Sequence, residues 1–129
     1  MPTEASQTGS TTLAFDKFWS WVRAHRNCIS RVGTPYSVLL DHDDFHWDIV
    51  SEPDGTEILQ LVRGKELVGE IVILHEEIAY VQCSASPGSE DDHLFECVIE
   101  SPHGREVVYH FVMTHSYEGD PEEMRHWTH

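Results

Sequence analysis

The chain has few basic residues. Only 8 Lys and Arg stand against 23 Asp and Glu, so the formal net charge is −15 at pH 7 with histidine neutral. Proteins that bind nucleic acid need lysine and arginine to displace counterions from phosphates, and surfaces that bind anionic lipids use the same residues. The sequence therefore argues against nucleic acid and against a membrane as partners. It leaves a basic protein, a cation or simple solubility as reasons for the acidity.

Long apolar runs are also missing, and so are the features of a secretory leader. No stretch is apolar for the roughly 20 residues that a membrane-spanning helix needs. The first residues, MPTEASQTGSTT, have neither a basic start nor an apolar run. We expect residues 1–11 to form a flexible tail, residues 12–129 to form a single domain, and the protein to be cytoplasmic.

Cysteine is scarce, and its spacing matches no common metal motif. Cys28, Cys83 and Cys97 are odd in number and widely separated. Such a set is typical of reduced thiols in a cytoplasmic protein rather than of a disulfide framework. Cys83 and Cys97 fall in consecutive predicted strands, but the loop length sets Cys83 nearer Phe95, so no disulfide is expected between them.

The first element that the sequence predicts is one amphipathic helix. Apolar side chains recur at helical spacing between Thr12 and Val32 and predict a helix over that range. Gly33 and Pro35 follow as stop signals. Trp19 lies in the apolar arc, so we expect it to anchor the core.

Seven segments with strand composition follow, separated by short turns. They are Tyr36–Leu40, Phe45–Ser51, Glu57–Arg63, Glu66–Leu74, Glu77–Ala85, His93–Ser101 and Arg105–Ser116. The linkers are too short for crossover helices, so the strands should pair antiparallel. Asp120 and Pro121 place a helix cap before proline and predict a short C-terminal helix. The fold class is therefore α+β: an N-terminal amphipathic helix packed on a six- to seven-stranded antiparallel meander sheet that can be strongly curved.

Alternation along the strands separates two faces of the sheet. The inward set is Trp47, Ile49, Leu59, Leu61, Ile71, Ile73, Val81, Cys83, Phe95, Cys97, Ile99, Tyr109, Phe111 and Met113. The other face mixes polar side chains with Val68, Val72, Val98, Val108 and Val112. One helix cannot cover both faces, so we expect the second to be covered by a second subunit, by a different partner or by the sheet curling upon itself. A symmetric homodimer is the commonest of the closed arrangements.

Five polar residues of that second face form the candidate binding site: His46, Asp48, Glu70, Glu96 and His110. Four of them, His46, Glu70, Glu96 and His110, offer two imidazoles and two carboxylates and form a runner-up metal site. The same groups could act as an acid and a base. Solvated residues scattered over a sheet would give the same pattern, and a shift of one residue in register would turn any strand over.

The densest acidic run, Asp41–Asp44, precedes His46 and Asp48. Its oxygen atoms could hold Ca²⁺ or Mg²⁺, but the glycine and the distal glutamate of an EF-hand loop are missing. Aspartate also favours turns through side-chain bonds to the backbone, and a turn is the simpler explanation of the run.

No motif in the sequence names a reaction. A nucleophile elbow, a phosphate-binding loop and a zinc-protease motif are all missing. We therefore expect no catalytic residues, no cofactor and no catalysis of its own. The first functional prediction is a protein-interaction domain with a binding, inhibitory or chaperone-like role, for which the acidic body favours a basic protein as partner. The alternative is a small-molecule or metal-binding domain, including an enzyme, that uses polar residues on the sheet face.

Overall fold

Antiparallel strands dominate the chain. The computed structural model describes residues 11–85, 92–115, 117 and 124–126. In chain order the elements are β1 (Thr11–Leu13), α1 (Phe15–Ala24), β2 (Ile29–Gly33), β3 (Val38–Leu40), β4 (Phe45–Ser51), β5 (Glu57–Arg63), β6 (Glu66–Ile73), β7 (Tyr80–Ala85), β8 (His93–Ser101), β9 (Gly104–Met113) and β10 (Met124–His126). Two short 3-10 turns, Arg26–Cys28 and His75–Glu77, connect α1 to β2 and β6 to β7. Within these residues, no helix has the length and apolarity to cross a membrane.

The strands divide into two sheets. The larger sheet has seven strands in the order β10-β1-β7-β8-β9-β2-β3, and the smaller has three in the order β4-β5-β6. Neighbours pair antiparallel throughout, which confirms an α+β fold built on antiparallel strands. The prediction of one meander is wrong, because β2 inserts between β9 and β3. Short turns determine which strands pair within a hairpin, but they do not determine where β2, an early strand, joins the rest of the sheet.

The N-terminal helix, predicted over Thr12–Val32, is shorter at both ends: it runs from Phe15 to Ala24, and Thr12 and Leu13 belong to the strand β1. The backbone N–H of His25 bonds back to two carbonyls of the last turn, and Ile29–Gly33 forms β2. Ile29 and Val32 have helical spacing, yet both are buried in an extended strand. The register of β2 against β9 shifts between Ile29 and Arg31. This bulge adds one residue, so two side chains three positions apart face the same core.

The chain ends are only partly described. The predicted C-terminal helix is not confirmed, because Met124–His126 pair with β1 as the strand β10. The predicted start of that helix, at Asp120 and Pro121, lies outside the described residues. The predicted tail, residues 1–11, also lies outside them except for Thr11, which belongs to β1.

The core lies between the two sheets, and α1 packs on the same face of the larger sheet. The ring of Phe18 contacts those of Phe95 and Phe111 at centroid distances of 5.0 and 5.2 Å. The Trp47 indole N–H donates to the carbonyl of Ile29 at 3.0 Å, which joins the smaller sheet to the larger. The smaller sheet and α1 therefore cover one face of the larger sheet together.

The predicted inward face is confirmed apart from Ile49 and Ile99, which are half-buried rather than buried. The period of two along each strand predicted these positions correctly because one side of each sheet packs against the shared core.

The predicted second face does not exist as one surface. Val68 and Val72 lie on the smaller sheet and are exposed, whereas Val98, Val108 and Val112 lie on the larger sheet. Val98 and Val112 are only 3% and 4% exposed, so the chain itself already covers them. The five valines therefore cannot form one dimer interface, and the homodimer stays a prediction.

The three cysteines carry free thiols, as predicted. In the β7–β8 register Cys83 lies opposite Phe95 and Cys97 lies opposite Val81, so the two sulfurs are not directly paired. Burial raises the pKa of Cys83 to about 12 and raises that of Cys97 as well. Both thiols are therefore protonated and poorly nucleophilic at neutral pH.

Candidate functional site

The five predicted site residues lie on two different sheets. His46, Asp48 and Glu70 belong to the smaller sheet, where β5 separates β4 from β6. Glu96 and His110 belong to the larger sheet. All five alternate with buried residues, so each faces away from the shared core. The structure brings them together as two groups on separate outer faces rather than as one site.

On the smaller sheet, Asp48, Gln60 and Glu70 form one cross-strand row. The Gln60 side chain donates from Nε2 to Oε1 of Glu70 at 3.0 Å. Oδ1 of Asp48 accepts the backbone N–H of Ile49 at 3.0 Å. His46 lies two residues away from this row along β4. Both carboxylates therefore already accept hydrogen bonds from the protein.

On the larger sheet, Glu96 and His110 lie directly opposite each other. Burial lowers the pKa of His110, the Arg31 cation lowers it further, and the Glu96 carboxylate acts against both. The imidazole also covers Gly33 so closely that a Cβ there would collide with its Cε1. The pair sets a carboxylate opposite an imidazole, but neither residue lines the groove described below.

The predicted metal ligands do not converge. Among the residues that the structure describes, no group of three or more His, Cys, Asp or Glu side chains is placed to hold a metal ion. The acidic run Asp41–Asp44 forms the turn between β3 and β4, where the N–H of Phe45 bonds to the carbonyl of His42 at 2.9 Å.

Exposed apolar side chains mark a different region. Within the described residues, those that are large and exposed fall on three segments: the β2–β3 hairpin, β6 with the residue after it, and the start of β9. They are Tyr36, Val38, Leu40, Leu67, Val68, Val72, Leu74 and Val107. Single exposed apolar residues are normal on a protein surface, but a cluster of them is typical of a binding surface.

A groove of about 380 Å³ opens among these three segments, and we call it the acidic groove. It is lined by Thr34, Pro35, Tyr36, Ser37, Glu70, Ile71, Val72, Leu74, Glu77, Glu106, Val108 and Tyr109. Three of these residues are exposed glutamates, one each from β6, the following 3-10 turn and β9. No Lys, Arg or His is among the lining residues, so the groove combines apolar walls with three carboxylates.

The hairpin wall of the groove is held in shape by Thr34. Its Oγ1 accepts the backbone N–H of Tyr36 and of Ser37, both at 3.1 Å. Its own N–H donates to the carbonyl of Ser37 at 2.8 Å. These bonds fix a tight turn on which the Tyr36 side chain, 94% exposed, stands in solvent. Such an aromatic ring can pack against a ligand at little cost in conformational entropy.

The floor of the groove joins the two sheets through one hydroxyl group. Tyr109, from β9, donates its O–H to the carbonyl of Val72 at 2.9 Å and accepts the N–H of Leu74 at 2.9 Å. Burial raises the pKa of Tyr109, the bond from Leu74 lowers it, and the charge of Glu77 raises it. The hydroxyl is therefore protonated at neutral pH and can donate as the geometry requires.

Part of this groove was visible in the sequence. Glu70 belonged to the predicted site, and the exposed valines of β6 indicated an uncovered apolar surface. Tyr36, Glu77 and Glu106 were missed as site residues, because they come from segments far apart in the chain. The pairing of β2 with β9 brings the hairpin of Tyr36 beside Glu106, and the hydrogen bonds of Tyr109 to the end of β6 bring Glu77 near them; the turns encode neither contact.

Comparisons with known proteins give no independent guide to this site. The chain matches no family model, and searches of curated proteins and of solved structures found no match.

Proposed function

We propose that this protein is a small acidic interaction domain that binds a basic partner protein through the acidic groove. The observation that supports the proposal is the coincidence of two surface properties. Three of the exposed apolar side chains, Tyr36, Val72 and Leu74, line one groove, and its only charged lining residues are Glu70, Glu77 and Glu106. An apolar segment that carries lysine or arginine complements both properties.

A second copy of the chain is a poor occupant of the same groove. Each copy has a formal charge of −15, and pairing two grooves would bring two sets of Glu70, Glu77 and Glu106 together. Like charges in close contact cost affinity, so the groove favours a different and basic protein. Binding would be inhibitory or chaperone-like in effect, according to what the partner does when it is free.

The proposed setting is the cytoplasm. Cys83 and Cys97 are buried as free thiols, and Cys28 is a free thiol as well. A reducing compartment keeps such thiols in the form that the fold uses.

The experiment uses a defined basic probe. We would label a capped peptide of about eight residues, made of valine, threonine and lysine, and measure its dissociation constant by fluorescence anisotropy. The groove variant carries Glu70→Gln, Glu77→Gln and Glu106→Gln. If each carboxylate contributes a partly exposed ion pair, their removal should weaken binding about tenfold.

The matched control variant carries Asp43→Asn, Asp44→Asn and Glu52→Gln, which are exposed carboxylates outside the groove lining. It loses the same formal charge, so any effect of overall charge appears in both variants. We expect the control to bind within about twofold of the unmodified protein. Equal weakening in the two variants, or no binding to any of the three proteins, would contradict the proposal.

A small organic cation is the second candidate ligand. The groove volume of about 380 Å³ lies within the range of small-molecule sites, and Tyr36 offers an aromatic face for a cation. Lysine amide tested alone separates the candidates. Binding as tight as that of the whole peptide would favour the small molecule, whereas binding that needs the extended peptide favours the partner protein.

A further inference from the structure

The edge strands of the two sheets are not equally protected. β3, β4 and β6 are edge strands in the described sheets, as is β10. β3 has only three residues. On β4, the carboxylate of Asp48 accepts the backbone N–H of Ile49. β6 is the longest of the four, and it carries exposed Leu67, Val68 and Val72. A long apolar edge is a template for pairing with another strand.

The hydrogen bonds of Tyr109 identify which groups of β6 face the groove. Its hydroxyl contacts the carbonyl of Val72 and the N–H of Leu74, so these two groups point away from β5. In an antiparallel pair the outward-facing residues alternate along the strand. The N–H of Val72 and both backbone groups of Glu70 therefore also point away from β5. They lie along the acidic groove, which Glu70 and Val72 both line.

We propose that the partner binds as an extended strand that adds antiparallel to the edge of β6, with main-chain hydrogen bonds to both backbone groups of Glu70 and to the N–H of Val72. This mode rests on the proposed function and specifies how the basic segment is held. The added strand lies between β6 and the Thr34–Ser37 turn, so main-chain bonds supply affinity and the groove walls supply specificity.

The register of this pairing defines the chemistry of the bound segment. A residue directly opposite Glu70 shares its outer face, and lysine or arginine there meets the carboxylate. A residue opposite Val72 lies beside that exposed side chain and should be apolar. The residue between them points the other way, toward Val108 and Tyr109 on the floor of the groove, and should also be apolar. Because the added strand runs antiparallel to β6, the segment that fits reads apolar, apolar and basic from its N-terminus to its C-terminus.

Backbone methylation of the peptide tests the pairing directly. In an antiparallel addition, the residue opposite Glu70 donates its N–H to the Glu70 carbonyl, and the intervening residues direct their N–H groups away from β6. We call the peptide residues opposite Glu70 and Val72 the outer positions and the residues between them the inner positions. The carbonyl of Val72 already accepts from Tyr109, so the effect of outer methylation comes from the residue opposite Glu70. The peptide would carry lysine and valine at the outer positions and valine at the inner positions. One version is N-methylated at the outer positions and the other at the inner positions. The outer version should bind about tenfold more weakly or worse, and the inner version should bind like the parent peptide.

A protein variant tests the same bond from the other side. Val72→Pro removes the outward N–H but keeps the carbonyl that Tyr109 contacts, and proline is tolerated on a strand edge whose N–H faces outward. Val72→Ala is the matched control, because it loses the side chain and keeps the N–H. We expect the proline variant to bind the parent peptide about tenfold more weakly than the alanine variant. If the proline variant does not fold, the methylated peptides decide alone.

The outcomes separate this inference from the proposed function. If all three peptides bind equally and still respond to the groove variant, strand addition is wrong and the groove proposal stands. Loss of binding only with inner-position methylation would overturn the antiparallel register. If the parent peptide binds but ignores the groove glutamates, the proposed function is wrong, and with it the inference that rests on it.

Discussion

Glu57, at the start of β5, joins three parts of the chain through one carboxylate. It accepts hydrogen bonds from the Trp19 indole and the Arg23 guanidinium of α1, and from Ser51 Oγ at 2.8 Å. Its side chain is only 13% exposed. Burial acts to raise the pKa of Glu57, but the hydrogen bonds from Ser51, Arg23 and Trp19 outweigh it and lower the pKa below the ordinary 4.5.

We expect Glu57→Gln to destabilise the protein by about 2 kcal/mol at neutral pH. The amide can still accept from Trp19, but its NH₂ group cannot accept from Ser51 and the charge opposite Arg23 is lost. A hydrogen bond to a charged group contributes about 1.5 kcal/mol. Because Arg23 is 45% exposed, its ion pair should add only about 0.5 kcal/mol.

The pH dependence follows from the direction of the pKa shift. A lowered pKa in the folded state means that the carboxylate stabilises the fold fully above the unfolded value, and that this stabilisation is lost as pH falls through the folded value. Urea unfolding followed by tryptophan fluorescence should therefore show a difference between the two proteins near pH 6 that shrinks as the pH falls below the ordinary glutamate pKa of 4.5. Glu66→Gln is the control, since the Glu66 side chain is 73% exposed in its pair with Arg63. A constant difference at every pH, or none near pH 6, would refute the role of the carboxylate.

Three further predictions concern the core and the sheet. Trp19→Ala should lower the free energy of unfolding by about 3–5 kcal/mol. Tyr36→Ala is the control: at a position 94% exposed, it should change that free energy by less than about 0.5 kcal/mol. Equal urea midpoints for the two variants would show that Trp19 does not lie on the core face of α1. Gly33→Ala should destabilise by about 1–3 kcal/mol, because the new Cβ would collide with the imidazole of His110. Adding His110→Ala should recover much of that loss, and additive losses in the double-mutant cycle would contradict the contact. Thiol titration of the denatured, unreduced protein should find three thiols per chain. In the native protein Cys83 should react slowly with a thiol reagent, because its pKa is raised to about 12. Fast reaction of Cys83 in the native protein would show that β7 does not bury this thiol.

Much of the fold could be predicted because its signals are local. The bounds of Phe45–Ser51, Glu57–Arg63 and His93–Ser101 are the same in the sequence analysis and in the structure. Each of these segments is rich in strand-forming side chains and lies between turn residues, so its ends are marked in the sequence.

The remaining errors arose where tertiary pairing decides. Ile29 and Val32 suit a helix by spacing and a strand by their β-branched side chains, and pairing with β9 selects the strand. The division into two sheets was equally hidden. The alternation of side chains along each strand correctly placed Glu70 and His110 on faces away from the core. No feature of the nearby sequence indicates that these two residues belong to different sheets.

The most direct test of the account is to map where a basic peptide binds. The unlabelled valine, threonine and lysine peptide would be titrated into isotope-labelled protein while the backbone amide resonances are followed. The account predicts perturbations concentrated at residues 34–37, 70–74 and 106–109, which line the acidic groove or adjoin its lining. It also predicts slower hydrogen exchange at the amides of Glu70 and Val72 in the complex. Perturbations centred on Glu96 and His110, with the groove unaffected, would contradict the account.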